Sequence, residues 1–168
     1  EKFGSLLEDF QATGRTSIFY ILENGNPQVR NLLVHNTLTT REEIRAAQAW
    51  SDQVFWATCP NANLYIENRL PDYQAFLDTG ARVTIGTDSL ASNWQLSVLE
   101  EIKTIARLQS YVPFETLLQW ATLNGAQALG FDDTLGSLEP GKTPGILCLQ
   151  GLDAEGQLGE DARVTRLI

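Results

Sequence analysis

Apolar residues recur at helical spacing at Phe3, Leu6, Leu7 and Phe10, and again at Ile18, Phe19, Ile21 and Leu22, which predicts two helical segments. A turn follows at Asn24-Gly25-Asn26-Pro27. The short apolar run Leu32-Leu33-Val34, ending at His35, suits a strand buried on both faces. In the next segment, TTREEIRAAQAW, Thr40 and Glu43 form a capping box ahead of apolar Ile44, Ala47 and Trp50, so a helix is expected.

The same strand-then-helix unit recurs in type, although not in sequence. Val54 to Thr58 reads as a second buried strand, followed by a polar loop and a helix from about Pro71 that ends before Gly80. Arg82 to Gly86 reads as a third strand. Its loop, TDSLASN, leads into an amphipathic helix with Leu96, Leu99, Ile102, Ile105, Ala106 and Leu108 on one stripe. Glu100, Glu101 and Lys103 read as the solvated face of that helix. Strands alternating with helices imply parallel pairing and right-handed crossovers, hence an α/β sheet. After Tyr111 the pattern changes. Pro113 opens a helix over FETLLQWAT, NGAQALG reads as a short helix ended by Gly130, and strands are expected at 146–149 and 163–168. A β-rich tail of this kind suggests a small layer beside the main sheet.

Composition narrows the function classes. With 168 residues, 43% of them hydrophobic, the chain has ample material for a buried core. The 12 Lys and Arg against 21 Asp and Glu give a net charge of -9, which repels phosphate backbones and anionic lipid, so nucleic acid and membrane surfaces are poor partners. No apolar stretch approaches the roughly 18 to 20 residues of a membrane span, and the start has no basic-then-apolar signal pattern, so a cytoplasmic protein is expected. Cys59 and Cys148 are too few for a disulfide framework and read as small core residues. The chain has no methionine and opens inside a helical pattern, so it is expected to continue upstream of Glu1.

In parallel α/β folds functional groups collect where strands end. His35 ends the first strand, and Asp88 lies just past Gly86-Thr87 at the end of the third. A histidine there suits orienting or deprotonating a water, or binding a substrate heteroatom, and equally suits a structural bond to a neighbouring carbonyl. An aspartate there suits binding a metal and moving a proton, and equally suits capping its loop or the following helix. Asn61 and Asn63, in the loop CPNAN, are candidates to line a substrate pocket, although such residues commonly satisfy turn backbone; Pro60 rigidifies the strand exit. Trp50, Phe55, Trp56 and Tyr65 read as core aromatics. One histidine in the whole chain is too few for a complete His-rich metal site.

Taken in order, LLVHNTLTTREEI, CPNANLYI, VTIGTDSLASN, ATLNGAQALG and GSLEPGKTPGILCL resemble the amidohydrolase superfamily, in its cytosine deaminase, chlorohydrolase and guanine deaminase-like branch. The resemblance covers nearly all of the chain after about residue 30. It implies a (β/α)8 barrel with a small β-sandwich. On that reading residues 1–130 form barrel strands six to eight and residues 131–168 contribute to the sandwich. It further implies that His35 is the sixth-strand histidine contacting substrate or the attacking water, and that Asp88 is the eighth-strand aspartate that binds zinc or iron and handles protons. Hydrolysis at a carbon bearing a nitrogen or halide leaving group, first of all deamination of a nitrogen heterocycle as a small-molecule substrate, follows as the expected chemistry. This chain alone is expected to be inactive and to bind no catalytic metal tightly. The family's other ligands, a first-strand His-x-His and a fifth-strand histidine with its glutamate, have no counterpart here. Ala62 stands where the family commonly has Ser, and Pro144-Gly145 replaces a usual Ala-Asp. Three strand-helix units do not close a barrel, so open sheet edges are expected to be covered by a partner copy in a homo-oligomer or by a missing N-terminal half. A non-catalytic α/β binding or assembly module is the alternative, favoured by the lone histidine.

Overall fold

The computed structural model describes residues 12–154 and 156–168. The helix expected over Phe3 to Phe10 lies outside them. In chain order the elements are α1 (Ser17–Asn24), β1 (Asn31–Val34), α2 (Arg41–Trp50), β2 (Val54–Thr58), α3 (Pro60–Glu67), α4 (Tyr73–Thr79), β3 (Val83–Ile85), α5 (Val98–Leu108), α6 (Phe114–Ala121), α7 (Leu123–Leu129), β4 (Leu147–Leu152) and β5 (Leu158–Arg166).

The expected parallel pairing is found: β1, β2 and β3 lie side by side in that order, with Leu33 opposite Trp56 and Trp56 opposite Val83. Because side chains alternate across a strand, Leu33, Val54, Trp56, Val83 and Ile85 share one face. That face packs into a core with Ile44, Tyr73, Phe76, Ile105 and Leu117 from the helices. The expectation that the first strand is buried on both faces is not met. Leu33 is buried, whereas Leu32 and Val34 are 40% and 49% exposed, because among the described residues no helix covers their side of β1. Strand β2, flanked on both sides, is buried throughout.

Local chemistry explains the helix boundaries. The capping box at α2 is complete: the Glu43 N–H donates to Thr40 Oγ1 (3.3 Å) and the Thr40 N–H to Glu43 Oε2 (2.7 Å). Gly80 closes α4 at φ 62°, in the left-handed region that glycine tolerates. Helix α4 begins at Tyr73, capped by Asp72, rather than at Pro71. The expected polar loop after β2 is instead helix α3, with Pro60 at its first position, where the missing N–H costs nothing. Helix α5 has Ile102 and Ile105 buried, while Leu96 and Leu108 at its ends remain exposed.

Strands β4 and β5 pair antiparallel, longer than the two short strands expected in the tail. A bulge lies between Gln150 and Leu152. At its centre Gly151 has φ 83°, and a Cβ there would come within 2.8 Å of the Ala162 Cα. This hairpin rests on the main layer through Leu149 and Leu158, and Lys103 Nζ on α5 donates to the Glu160 carbonyl at 3.1 Å. Among the described residues, no helix is long and apolar enough to cross a membrane.

Candidate functional site

The C-terminal edge of the parallel sheet is built by the residues that follow each strand. The His35 N–H donates to the Ala57 carbonyl at 2.9 Å, prolonging the β1–β2 ladder by one residue, and the Gly86 N–H donates to the Thr58 carbonyl at 2.9 Å. His35, Cys59 and Asp88 therefore lie beyond the same ends of three adjacent parallel strands.

Backbone strain concentrates there. Among the described residues four non-glycine residues have positive φ: His35 (71°), Asn36 (59°), Asn68 (48°) and Asp88 (58°). Asn68 ends α3, and the other three all sit at this edge. A left-handed non-glycine residue costs on the order of 1 kcal/mol or more, and such conformations persist where surrounding contacts impose them. At His35 the imposing contacts include Asn36, whose Nδ2 donates to the Leu33 carbonyl at 2.7 Å. At Asp88 they are the backbone N–H, which hydrogen-bonds to the Cys59 thiol, and Oδ2, which accepts from Ser92 Oγ at 2.6 Å. Capping of the following helix falls to Ser97 instead of Asp88.

Helix α3 links the two sides. Cys59, its N-cap residue, touches Asp88; four residues on, about 6 Å along the axis, Asn63 Oδ1 lies 2.7 Å from His35 Nδ1. An amide oxygen facing Nδ1 favours the tautomer with the proton on Nδ1, which leaves the lone pair on Nε2. Asn63 is 1% exposed, and its Nδ2 has no protein partner. Among the described residues His35 Nε2 and Asp88 Oδ1 also lack protein partners.

Asn61 faces the other way. It is buried, its Oδ1 accepts from Thr104 Oγ1 at 2.6 Å, and its Nδ2 donates to Glu101 Oε1 at 3.0 Å. The structure thus brings His35 and Asn63 together and sends Asn61 into the interior. Glu101 is a correction to the sequence reading: instead of facing solvent it is 0% exposed, drawn inward by Asn61 and by Asn93 Nδ2 at 2.6 Å. Tyr65 is a second correction, lying exposed and edge-to-face with Trp94 at 5.7 Å between ring centroids. Phe55 and Trp56 are buried as expected, Cys59 is buried, and Cys148 is only half-buried. The Cys59 thiol is pushed up to about 11 by burial and then by the Asp88 and Glu101 carboxylates, so it is a neutral thiol at physiological pH.

Asp88 is the oxygen ligand this edge offers a metal and His35 a nitrogen, but a site needs more. No group of three or more His, Cys, Asp or Glu side chains able to hold a metal occurs among the described residues. The donors present do not make up a complete zinc or iron site.

The amidohydrolase family model matches residues 6–161. The chain is 34% identical over 149 residues to a 5-methylthioadenosine/S-adenosylhomocysteine deaminase of Moorella thermoacetica, covering 84% of this chain and 34% of that protein. An adenosine deaminase from Xanthomonas campestris, solved with bound zinc, is 34% identical with a TM-score of 0.65, over 75% of this chain and 30% of that one. Helicobacter pylori aminofutalosine deaminase, solved with methylthio-coformycin, is 25% identical with a TM-score of 0.68, over 82% and 34%. The chain spans about a third of the length of the curated relatives it matches. With the family model covering nearly all of it, the chain belongs to the amidohydrolase family.

Proposed function

We propose that this chain supplies the His35 and Asp88 side of a hydrolytic deaminase acting on an amino-substituted nitrogen heterocycle. The observation that carries the reading is the pair of left-handed residues, His35 and Asp88, held at one sheet edge by opposite ends of one turn of α3. The relatives, named as deaminases of purine nucleosides, support the same chemistry.

Hydrolytic deamination forms a C–O bond from water, breaks the C–N bond and releases ammonia, with water's protons ending on the leaving nitrogen and in solvent. It therefore needs a group that accepts a proton from water and returns it to nitrogen. Asp88 is proposed for that role, because Ser92 engages Oδ2 and leaves Oδ1 free. His35 is proposed to hold the attacking water or a ring heteroatom through Nε2, with Asn63 fixing its tautomer. Asn63 faces the substrate side, whereas Asn61, expected from the sequence to line the pocket, is engaged by Glu101 and Thr104 in the interior. A zinc or iron ion, with Asp88 among its ligands, belongs to the same proposal, the remaining ligands coming from outside the described residues.

In fold terms, β1, β2 and β3 are proposed as strands six to eight of a (β/α)8 barrel within residues 1–130, and residues 131–168 as part of a small β-sandwich. The parallel order and the outer edges of β1 and β3, unpaired among the described residues, support this. The test is ammonia release from 5-methylthioadenosine, S-adenosylhomocysteine and adenosine by this chain joined to the segment that supplies the remaining metal ligands, the 168-residue chain alone being expected to be inactive. Release from at least one, abolished in Asp88→Asn, is expected; none from all three would overturn the purine-nucleoside reading.

A further inference from the structure

Glu101 lies behind the candidate site, and the reading above leaves it without a role. The carboxylate is fully buried on α5, and among the described residues no Lys, Arg or His pairs with it. Burial raises its pKa, against the lowering effect of the Asn61 and Asn93 hydrogen bonds. A buried carboxylate without a counter-ion is costly to keep, so its three donors define what it does.

Two donors come from the start of α3. The Asn61 N–H gives 2.8 Å to Oε2, and Asn61 Nδ2 gives 3.0 Å to Oε1. Cys59, the N-cap of α3, offers no side-chain cap, so Glu101 supplies from another helix the acceptor that the first turn of α3 lacks. The third donor comes from the loop after β3. Asn93 Nδ2 donates 2.6 Å to Oε1 and 2.7 Å to the Thr87 carbonyl, the residue immediately before Asp88. One carboxylate thus joins the helix that carries Asn63 to the loop that carries Asp88.

We infer that Glu101 is a positioning residue that clamps the start of α3 against the 87–93 loop and so sets the Asn63–His35 hydrogen bond relative to Asp88. The inference rests on the reading of His35 and Asp88 given above for its bearing on chemistry. Its geometry is independent of turnover. Removing the acceptor frees the first turn of α3 to shift, and Asn63, half a turn further on, shifts with it.

The test reads the imidazole tautomer of His35 by 15N NMR in the full chain, without substrate, at one fixed alkaline pH for all variants. The signal is assigned by its loss in His35→Asn. Glu101→Gln places an N–H against a donor. It is expected to lower the ratio of Nδ1–H to Nε2–H tautomer by about twofold or more, with far-UV circular dichroism unchanged. Tyr73→Phe is the control for general destabilisation: it removes the buried 2.7 Å Thr58–Tyr73 hydrogen bond, lowers Tm and leaves the tautomer ratio alone. Should Glu101→Gln fail to fold, Asn61→Ala, which keeps the backbone bond to Glu101, is read in its place and gives a smaller shift of the same sign. A wild-type ratio in the Glu101→Gln variant, or in Asn61→Ala where that is read, overturns the inference, as does an equal shift in Tyr73→Phe. A shifted ratio leaves the clamp standing even where this chain, joined to the segment that supplies the remaining metal ligands, shows no deaminase activity; that absence removes the functional reading instead.

Discussion

Asn63 Oδ1 lies 2.7 Å from His35 Nδ1, and this contact between the first turn of α3 and the end of β1 determines which imidazole nitrogen is available for chemistry. Replacing Asn63 with Leu removes the acceptor at similar volume. The Nδ1–H preference of His35 is then expected to disappear from the 15N spectrum, with a stability loss of about 1 kcal/mol. An unchanged tautomer in Asn63→Leu would show that other contacts orient the ring.

The α2 capping box predicts an acid limb in stability. Burial alone raises the Glu43 carboxyl, but the hydrogen bonds from Thr16 and Thr40 outweigh it and hold the group below its ordinary value of 4.5. A lowered folded pKa means that the stabilisation is present above 4.5 and is lost as pH falls through the folded value. Thr40→Ala should cost about 1 kcal/mol at neutral pH and flatten this acid limb. A Tm-against-pH series on both proteins checks it; parallel curves would contradict the assignment.

Glu101 carries the opposite sign. Burial raises its folded pKa, so its contribution is fully present below the ordinary value of 4.5 and is lost as pH rises through the folded value. Glu101→Gln has no proton to lose. The stability of the variant relative to wild type should therefore increase with pH, measured by denaturant unfolding at several pH values, and a relative decline would show that the buried carboxylate ionises without penalty.

Much of the fold was legible in the sequence because local signals and burial agree there. Val54 to Thr58 is continuously apolar up to its last residue and is buried on both faces; Thr40 and Glu43 announce a helix that the structure caps with those same two residues. Helix α3 was obscured because Pro60 and two asparagines imitate a turn and its buried face is made of Pro60, Asn61, Ala62 and Asn63 instead of large apolar residues; Pro at a first helical position was the one usable sign. Glu101 was not legible at all: beside Glu100 and Lys103 it looks like solvent-facing charge, and its main partner, Asn61, is forty residues away. Leu32 and Val34 misled in the opposite direction, since an apolar run does not reveal which face its neighbours leave open. His35 and Asp88 stood out from their places at strand ends, while Ser92 and Cys59, which engage Asp88, depend on loop geometry that spacing does not encode.

Metal content separates the chain from a complete metal site. With no cluster of three ligating side chains among the described residues, the 168-residue chain alone is expected to retain well under one zinc per chain after dialysis. Stoichiometric zinc that vanishes in Asp88→Ala would contradict this and would mean that a few residues of this chain suffice.

The most direct measurement is a double-mutant cycle on deaminase turnover with His35→Asn, Asp88→Asn and the pair, made in this chain joined to the segment that supplies the remaining metal ligands. Residues acting on the same reacting atoms lose activity as a unit, so each single variant should lower kcat by about 10²- to 10⁴-fold and the double variant by little more than the worse single one. Losses that multiply in the double variant would show that the two residues act independently, and the shared site proposed for His35 and Asp88 would not stand.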